Sequence, residues 1–252
     1  HLLQMLTLVA MEPPASLDAD ALRDEKVKVL RSIRPIARDA VHAQAFRAQY
    51  AGGTVGGERV PGYLEEPGIP TGSVTETYAA LKLYIDNWRW RNVPFYLRTG
   101  KAMARRNSMI SIRFKHPPQQ LFTGTPIERI QPNWVLLNIQ PQECLRMELQ
   151  VKQPGFEMRT ETMAMDAARC GIEQLHIDAY EGLLLDVLEG DRSLFLRSDE
   201  VLWAWRVVDP VLNVWATERD FIQTYPAGGW GPQDSSRLFD RPDQDWRNGL
   251  DD

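Results

Sequence analysis

Most of the residues that would place this chain in a special class are scarce. Of 252 residues only two are cysteine, Cys144 and Cys170, and only four are histidine. The thiols are isolated from each other and from the four histidines, with no pair at ligand spacing, which excludes zinc-finger spacing and argues against a disulfide framework. No apolar run reaches the roughly 18 to 20 residues of a membrane-spanning helix. His1 to Met11 has neither the basic start nor the small-residue cleavage site of a signal peptide, so a cytoplasmic protein is expected. Lys plus Arg number 29 against 34 Asp plus Glu, and a net charge of -5 offers no general attraction to nucleic acid or an anionic membrane. The first residue is not methionine and the opening already reads as the inside of a helix, so a piece of something longer is expected.

The common catalytic signatures are missing too. There is no Gly-x-Ser-x-Gly elbow and no His-Glu-x-x-His zinc pair, and no metal site is expected. Gly52, Gly53, Gly56 and Gly57 lack the spacing of a dinucleotide loop. Around Lys101 a P-loop fails, because Phe95 stands at the first glycine position and Ala102 replaces the hydroxyl residue that would hold magnesium.

What is present is 43% hydrophobic residues, ample for a core, arranged in two periodicities. Leu2, Leu3, Leu6, Val9 and Ala10 recur at helical spacing until Pro13 and Pro14 stop the run. Asp18 or Asp20 can cap a second helix through Ile33, with Leu22, Val27, Leu30 and Ile33 on one face. The period then becomes two. Ala79, Leu81, Leu83 and Ile85 alternate with more polar residues, as do Ile110, Ile112 and Phe114, and Leu145, Met147, Leu149 and Val151, which predicts half-buried strands. Trp134 to Ile139 and Met158 to Met165 add two more, and the strand pattern within Asp86 to Arg106 brings the total to at least six; short connectors favour an antiparallel sheet over repeated βαβ units. Helical spacing returns at 178–190 and 199–218, where Leu202, Trp205, Val208, Leu212 and Trp215 form a stripe expected to face the core. The fold class is therefore α+β in one domain over 1–252: a helical lead-in at 1–38, a sheet region at 42–165, helices at 178–218 and an irregular tail at 225–252. That tail, rich in Gly, Pro and Asp, is expected to wrap the surface or be partly mobile, and to hold no chemistry.

The most informative stretch runs from Asp86 to Arg106. An apolar strand pattern enters a glycine turn bearing Arg98, Lys101, Arg105 and Arg106, four cations close together in an acidic protein. A bound phosphate or carboxylate would account for them. Asp86, Trp88, Trp90 and Tyr96 are expected to pack around the strand that presents this turn. His42, His116 and His176, without partners at ligand spacing, are expected to be structural or exposed.

Several segments in order resemble one family, glucose-6-phosphate dehydrogenase. They are His1 to Pro14, Arg23 to Leu30, Val60 to Glu66, Asp86 to Lys101, Gln140-Pro141, Asp178 to Glu181, Arg197 to Glu200 and Trp230 to Pro232. The resemblance implies the carboxy-terminal domain, a large mainly antiparallel sheet with helices on one face, with the amino-terminal Rossmann domain absent. It implies hydride transfer from C1 of glucose 6-phosphate to NADP, or in some members NAD, giving 6-phosphogluconolactone in the oxidative pentose phosphate pathway. His1 matches the family's general base, a role suited to imidazole because its reference pKa of about 6.5 lies near working pH. Lys101, Arg106 and Gln140 match substrate contacts. The coenzyme would be bound mainly by the missing domain, so the fragment alone is expected to be inactive. Assembly into a homodimer or homotetramer through the sheet is implied as well.

Two departures from the family are visible. Animal members bind a second, structural NADP with basic residues, where this chain has Asn107, Ser111, Asn138 and Glu148, so no structural NADP is expected and Arg98 is left to support the turn or the phosphate region. Gly182 stands where arginine usually follows Asp-Ala-Tyr-Glu, with an expected helix cost near 1 kcal/mol. The alternative reading is a non-catalytic dimerisation or regulatory module derived from the enzyme. A sheet domain from a related sugar oxidoreductase family is weaker, because Arg98-Thr-Gly-Lys101 argues against it.

Overall fold

In a computed structural model that describes residues 1–116, 124, 127, 130–168 and 179–251, the expected opening helices are present as α1 (Leu2–Ala10) and α2 (Ala19–Ser32). Asp18 is the N-cap residue of α2 without a capping side-chain bond; its carboxylate accepts the Ser16 hydroxyl instead. A short helix α3 (Val41–Gln44) leads into β1 (Ala45–Ala51), followed by a hairpin of β2 (Gly53–Val55) and β3 (Glu58–Val60). Gly56 and Gly57 have φ of 59° and 90°, so these two glycines make the hairpin turn rather than a nucleotide loop. Next come β4 (Tyr78–Tyr84), β5 (Pro94–Gly100), β6 (Ser108–Arg113), β7 (Trp134–Gln140), β8 (Cys144–Lys152) and β9 (Thr160–Ala168). The chain continues through α4 (Ala179–Glu189), α5 (Ser198–Thr217) and β10 (Gln223–Pro226).

These elements fall into two compact units, His1–Ala104 with Leu175–Asp245, and Arg105–Gln174 with Trp246–Asp252. In the first, four strands lie in the order β10-β1-β4-β5, antiparallel except for β10, which runs parallel to β1. Its core gathers Leu6 and Ala10 of α1, Leu30 of α2, Leu83 of β4, Ile85 and Val211 of α5. Burying aliphatic side chains of this size stabilises by about 1.5–3 kcal/mol each. Two charged side chains of α2 are buried as well. Lys26 meets the equally buried Glu200 of α5 at 2.6 Å, and Arg23 donates to the carbonyls of Arg192 and Phe195. Both are satisfied, as burial requires.

Three expectations about this unit change. In α5 the expected Trp215 is buried and Val208 and Leu212 pack against the core, but Leu202 and Trp205 are exposed, and Val207, Val211 and Val214 are buried instead. The helix is apolar around most of its circumference, so several stripes fit its spacing, and packing against α2 selects one. Trp88 is fully exposed, whereas Trp90 packs on Phe95 and donates its indole N–H to Ala10 O at 2.9 Å. The tail is also tied down at its start: Tyr225, Ser235 and Leu238 are buried and β10 joins the sheet. Parallel pairing needs no sequence proximity, so it left no local signal.

The second unit is an antiparallel meander, β6-β7-β8-β9. Its registers put Ile110, Ile112, Val135, Leu137, Leu145, Met147, Met163 and Met165 on one face. Residues 246–251 return to this unit. The Arg247 guanidinium makes two bonds to the Glu148 carboxylate, at 2.8 and 2.9 Å, and lies 4.9 Å from the Trp134 ring centre. Arg146 bonds Asp166, Asp251 and the Leu250 carbonyl. Cys144 is a free, half-buried thiol; Cys170, His176 and Asp178 lie outside the described residues. No described helix is long and apolar enough to cross a membrane.

Candidate functional site

The ladder between β4 and β5 ends at Tyr78 opposite Gly100. A Cβ on Gly100 would meet Met103 Sδ at 2.8 Å and the Tyr78 ring at 3.0 Å, so only glycine fits there without displacement. Beyond it, both backbone groups of Lys101 are held: its N–H donates to Thr77 O at 2.8 Å, and its carbonyl accepts the Tyr225 hydroxyl at 2.7 Å. Ala102 then takes a left-handed φ of 48°, uncommon for a residue with a Cβ. Its carbonyl accepts Gly228 N–H at 2.8 Å, and Ala104 N–H donates to Gly229 O at 2.9 Å. The turn therefore rests on Gly228 and Gly229. Arg98 lies over the Trp230 ring at 5.9 Å and donates to its carbonyl at 3.2 Å, which ties this cation to the same segment.

The result is a fixed backbone that presents an exposed cation. Lys101 is exposed, and among the described residues no hydrogen bond or ion pair holds its ammonium group. Beneath it the tyrosines are buried, and burial pushes the pKa of Tyr78 and of Tyr225 above the ordinary phenol value. Both stay neutral donors at physiological pH.

His1 belongs to the same unit at a different place. It is the N-cap residue of α1, its carbonyl accepts Met5 N–H at 3.0 Å, and its side chain is exposed. It sits among the residues lining a cleft of about 250 Å³, whose walls include Leu3, Thr7, Leu30, Leu196 and Trp205. Lys101 is not one of those residues. The remaining two candidates belong to the second unit. Gln140 ends β7 opposite Ser108, and Arg106 precedes Ser108 by two positions, so this unit brings them to one end of the β6–β7 pair. Both are exposed.

Of the other histidines, His42 is exposed and its Nε2 lies 2.7 Å from Glu218, and His116 is exposed. Among the described residues no cluster of three or more His, Cys, Asp or Glu could hold a metal ion. Sequence reasoning missed Thr77 and Tyr225, because their importance lies in which backbone atoms they reach. Tyr225 in particular fell in a tail that had no periodicity to place it.

The glucose-6-phosphate dehydrogenase, C-terminal domain family matches residues 1–247. A glucose-6-phosphate 1-dehydrogenase of Dickeya dadantii (strain 3937) is 44% identical over 250 residues, 98% of this chain and 51% of that protein. One from Bacillus subtilis (strain 168) is 39% identical over 249 residues, again 98% and 51%. Among solved structures, glucose-6-phosphate 1-dehydrogenase from Mycobacterium avium aligns with a TM-score of 0.75 and 35% identity over 94% of this chain and 47% of that one. A glucose-6-phosphate dehydrogenase in complex with its substrate glucose-6-phosphate aligns with a TM-score of 0.77 and 34% identity over 92% and 46%. The chain thus spans about half the length of the curated relatives it matches.

Proposed function

The chain belongs to the glucose-6-phosphate dehydrogenase family, matching its C-terminal domain, and we propose that it is the substrate-binding and dimerisation half of such an enzyme. The reaction is oxidation of glucose 6-phosphate to 6-phosphogluconolactone, with hydride passing to NADP, in the oxidative pentose phosphate pathway. The observation that carries this reading is the turn at Lys101: an exposed ammonium on a backbone bound at both its N–H and its carbonyl. A phosphate or sugar hydroxyl needs such a donor, and a charged donor roughly doubles the strength of the hydrogen bond. Arg106 adds a forked cation suited to phosphate, and Gln140 a neutral donor and acceptor suited to sugar hydroxyls.

His1 is the proposed general base. Its imidazole takes the proton of the C1 hydroxyl as the C1 hydride departs, so the C1–O bond becomes the lactone carbonyl. The coenzyme would supply the hydride acceptor and would be held mainly by an amino-terminal domain that this chain does not include. A second, structural NADP does not fit the donor set here. Glu148 is a carboxylate already engaged by Arg247, and the Asn107 and Asn138 amides donate to the carbonyls of Asn248 and Gln142. A polyanion would meet a closed ion pair and two engaged amides where free charge-assisted donors are needed, each worth about 1.5–3 kcal/mol.

The apolar face of the β6–β9 meander supports self-association. Leu145, Met147, Met163 and Met165 are exposed on it together, a patch of a kind that soluble monomers seldom leave uncovered. A homodimer or homotetramer would cover it, and the isolated chain is expected to associate even without catalysis.

The test is to express the longest reading frame that carries this chain and assay glucose 6-phosphate dependent reduction of NADP, with and without His1→Asn. Turnover that falls by about 10²–10⁴-fold in the variant is expected. A variant as fast as its parent would assign the base elsewhere. Measurable dehydrogenase activity from the 252-residue chain alone would overturn the division of labour proposed here.

A further inference from the structure

We propose that Tyr225 is a positioning residue for Lys101, setting through one buried hydroxyl the direction from which the ammonium reaches substrate. This rests on the reading of Lys101 as a substrate contact. Tyr225 is only 1% exposed, packed edge-on to Tyr78 with ring centres 5.6 Å apart. Phenylalanine would fill the same space at no polar cost, so the buried hydroxyl needs a reason. Its surroundings supply one, with Lys101 O at 2.7 Å, Thr77 O at 3.2 Å and Thr77 Oγ1 at 3.3 Å. Thr77 O also accepts Lys101 N–H at 2.8 Å, and Thr77 Oγ1 accepts Tyr50 N–H at 2.9 Å.

The hydroxyl thereby joins the residue before β4 to the residue after β5, where the sheet ladder has stopped. Lys101 has no strand neighbour to hold it, yet its N–H and its carbonyl are both fixed. Those two bonds define the peptide planes on either side of its Cα, and the planes define where its Cβ points. The next residue, Ala102, holds a left-handed φ that a loosened chain would leave. Tyr225 reaches the site from β10, far away in sequence and attached to the sheet by parallel pairing with β1.

The test uses the enzyme expressed from the longest reading frame carrying this chain. Tyr225→Phe is expected to raise KM for glucose 6-phosphate about 5- to 10-fold, with kcat and the coenzyme KM within about two-fold, because orientation of one binding group is what is lost. Lys101→Ala is expected to raise the same KM further, and adding Tyr225→Phe to it should cost nothing more. An unchanged KM in Tyr225→Phe overturns the proposal, and so does its full factor persisting in the Lys101→Ala background. If Lys101→Ala leaves KM untouched, the substrate reading of Lys101 fails and this proposal falls with it. Should Tyr225→Phe not fold, Thr77→Val removes the neighbouring hydroxyl and is expected to give about a 2- to 3-fold rise that vanishes in the same background; no rise there overturns the proposal equally.

Discussion

The two four-stranded sheets of this chain are written in the same alternating pattern, yet opposite kinds of face are covered. In β10-β1-β4-β5, Leu83 is 1% exposed beneath α-helical cover, and the apolar residues of β4 lead into the core. In β6–β9 the apolar row is open, with Leu145 and Met147 each 37% exposed, while Glu148 on the opposite face is 8% exposed and held by Arg247. Alternation fixes which residues share a face of a strand. It says nothing of which face gains a cover, because that depends on segments far away in sequence. The first sheet is thus stabilised chiefly by burial, while the covered face of the second combines the fully buried Leu136 with charge pairs.

The contrast can be broken or sharpened by substitution. The largest effect is expected from Glu200→Ala, which leaves Lys26 charged and buried in the first unit and should cost about 3–5 kcal/mol in denaturant unfolding. A loss below about 1 kcal/mol would mean the pair is hydrated and the unit looser than described. Next, Leu83→Ala should cost about 3 kcal/mol, whereas Met147→Ala should cost under about 1 kcal/mol and instead weaken self-association in sedimentation. Equal losses with unchanged association would erase the contrast. Third, Arg247→Met should destabilise the second unit by about 2 kcal/mol, because the Glu148 carboxylate loses its two bonds. Hydrogen exchange should rise in β7 and β8 and stay unchanged in β4 and β5.

The smallest effect concerns pH. Hydrogen bonding to Arg146 holds Asp166 below its ordinary pKa of 3.8. Its contribution is therefore fully present above 3.8 and is lost as pH falls from there through the lower folded value. Wild type and Asp166→Asn should therefore differ above that window and converge as pH falls through it; a difference that persists unchanged at lower pH would assign the residue another role.

Much of the fold was legible because local rules reach it. Pro13 and Pro14 end α1 as expected, and the period-two runs become β4, β6 and β8 nearly residue for residue. The basic turn after β5 was legible from its glycine and its charge. What was not legible depends on distant partners. Trp88 and Trp90 stand two positions apart with the same chemistry, yet only Trp90 finds a carbonyl and a ring to pack on. The stripe through Leu202 and Trp205 matched the helical period as well as the one that Val207 and Val211 complete. Tyr225 gave no signal at all, since its hydroxyl donates to the carbonyls of Lys101 and Thr77, acceptors that any sequence possesses.

The return of residues 246–251 to the second unit also sets an order of events during synthesis. The meander is complete once β9 has emerged, but Glu148 and Arg146 must wait for Arg247 and Asp251 until α4, α5 and β10 have all been made. A nascent chain therefore passes through a stage in which a finished sheet presents an open apolar face and the unanswered Glu148 carboxylate together. That interval is when capture by a chaperone, or by a neighbouring chain on the same message, would have the most to hold.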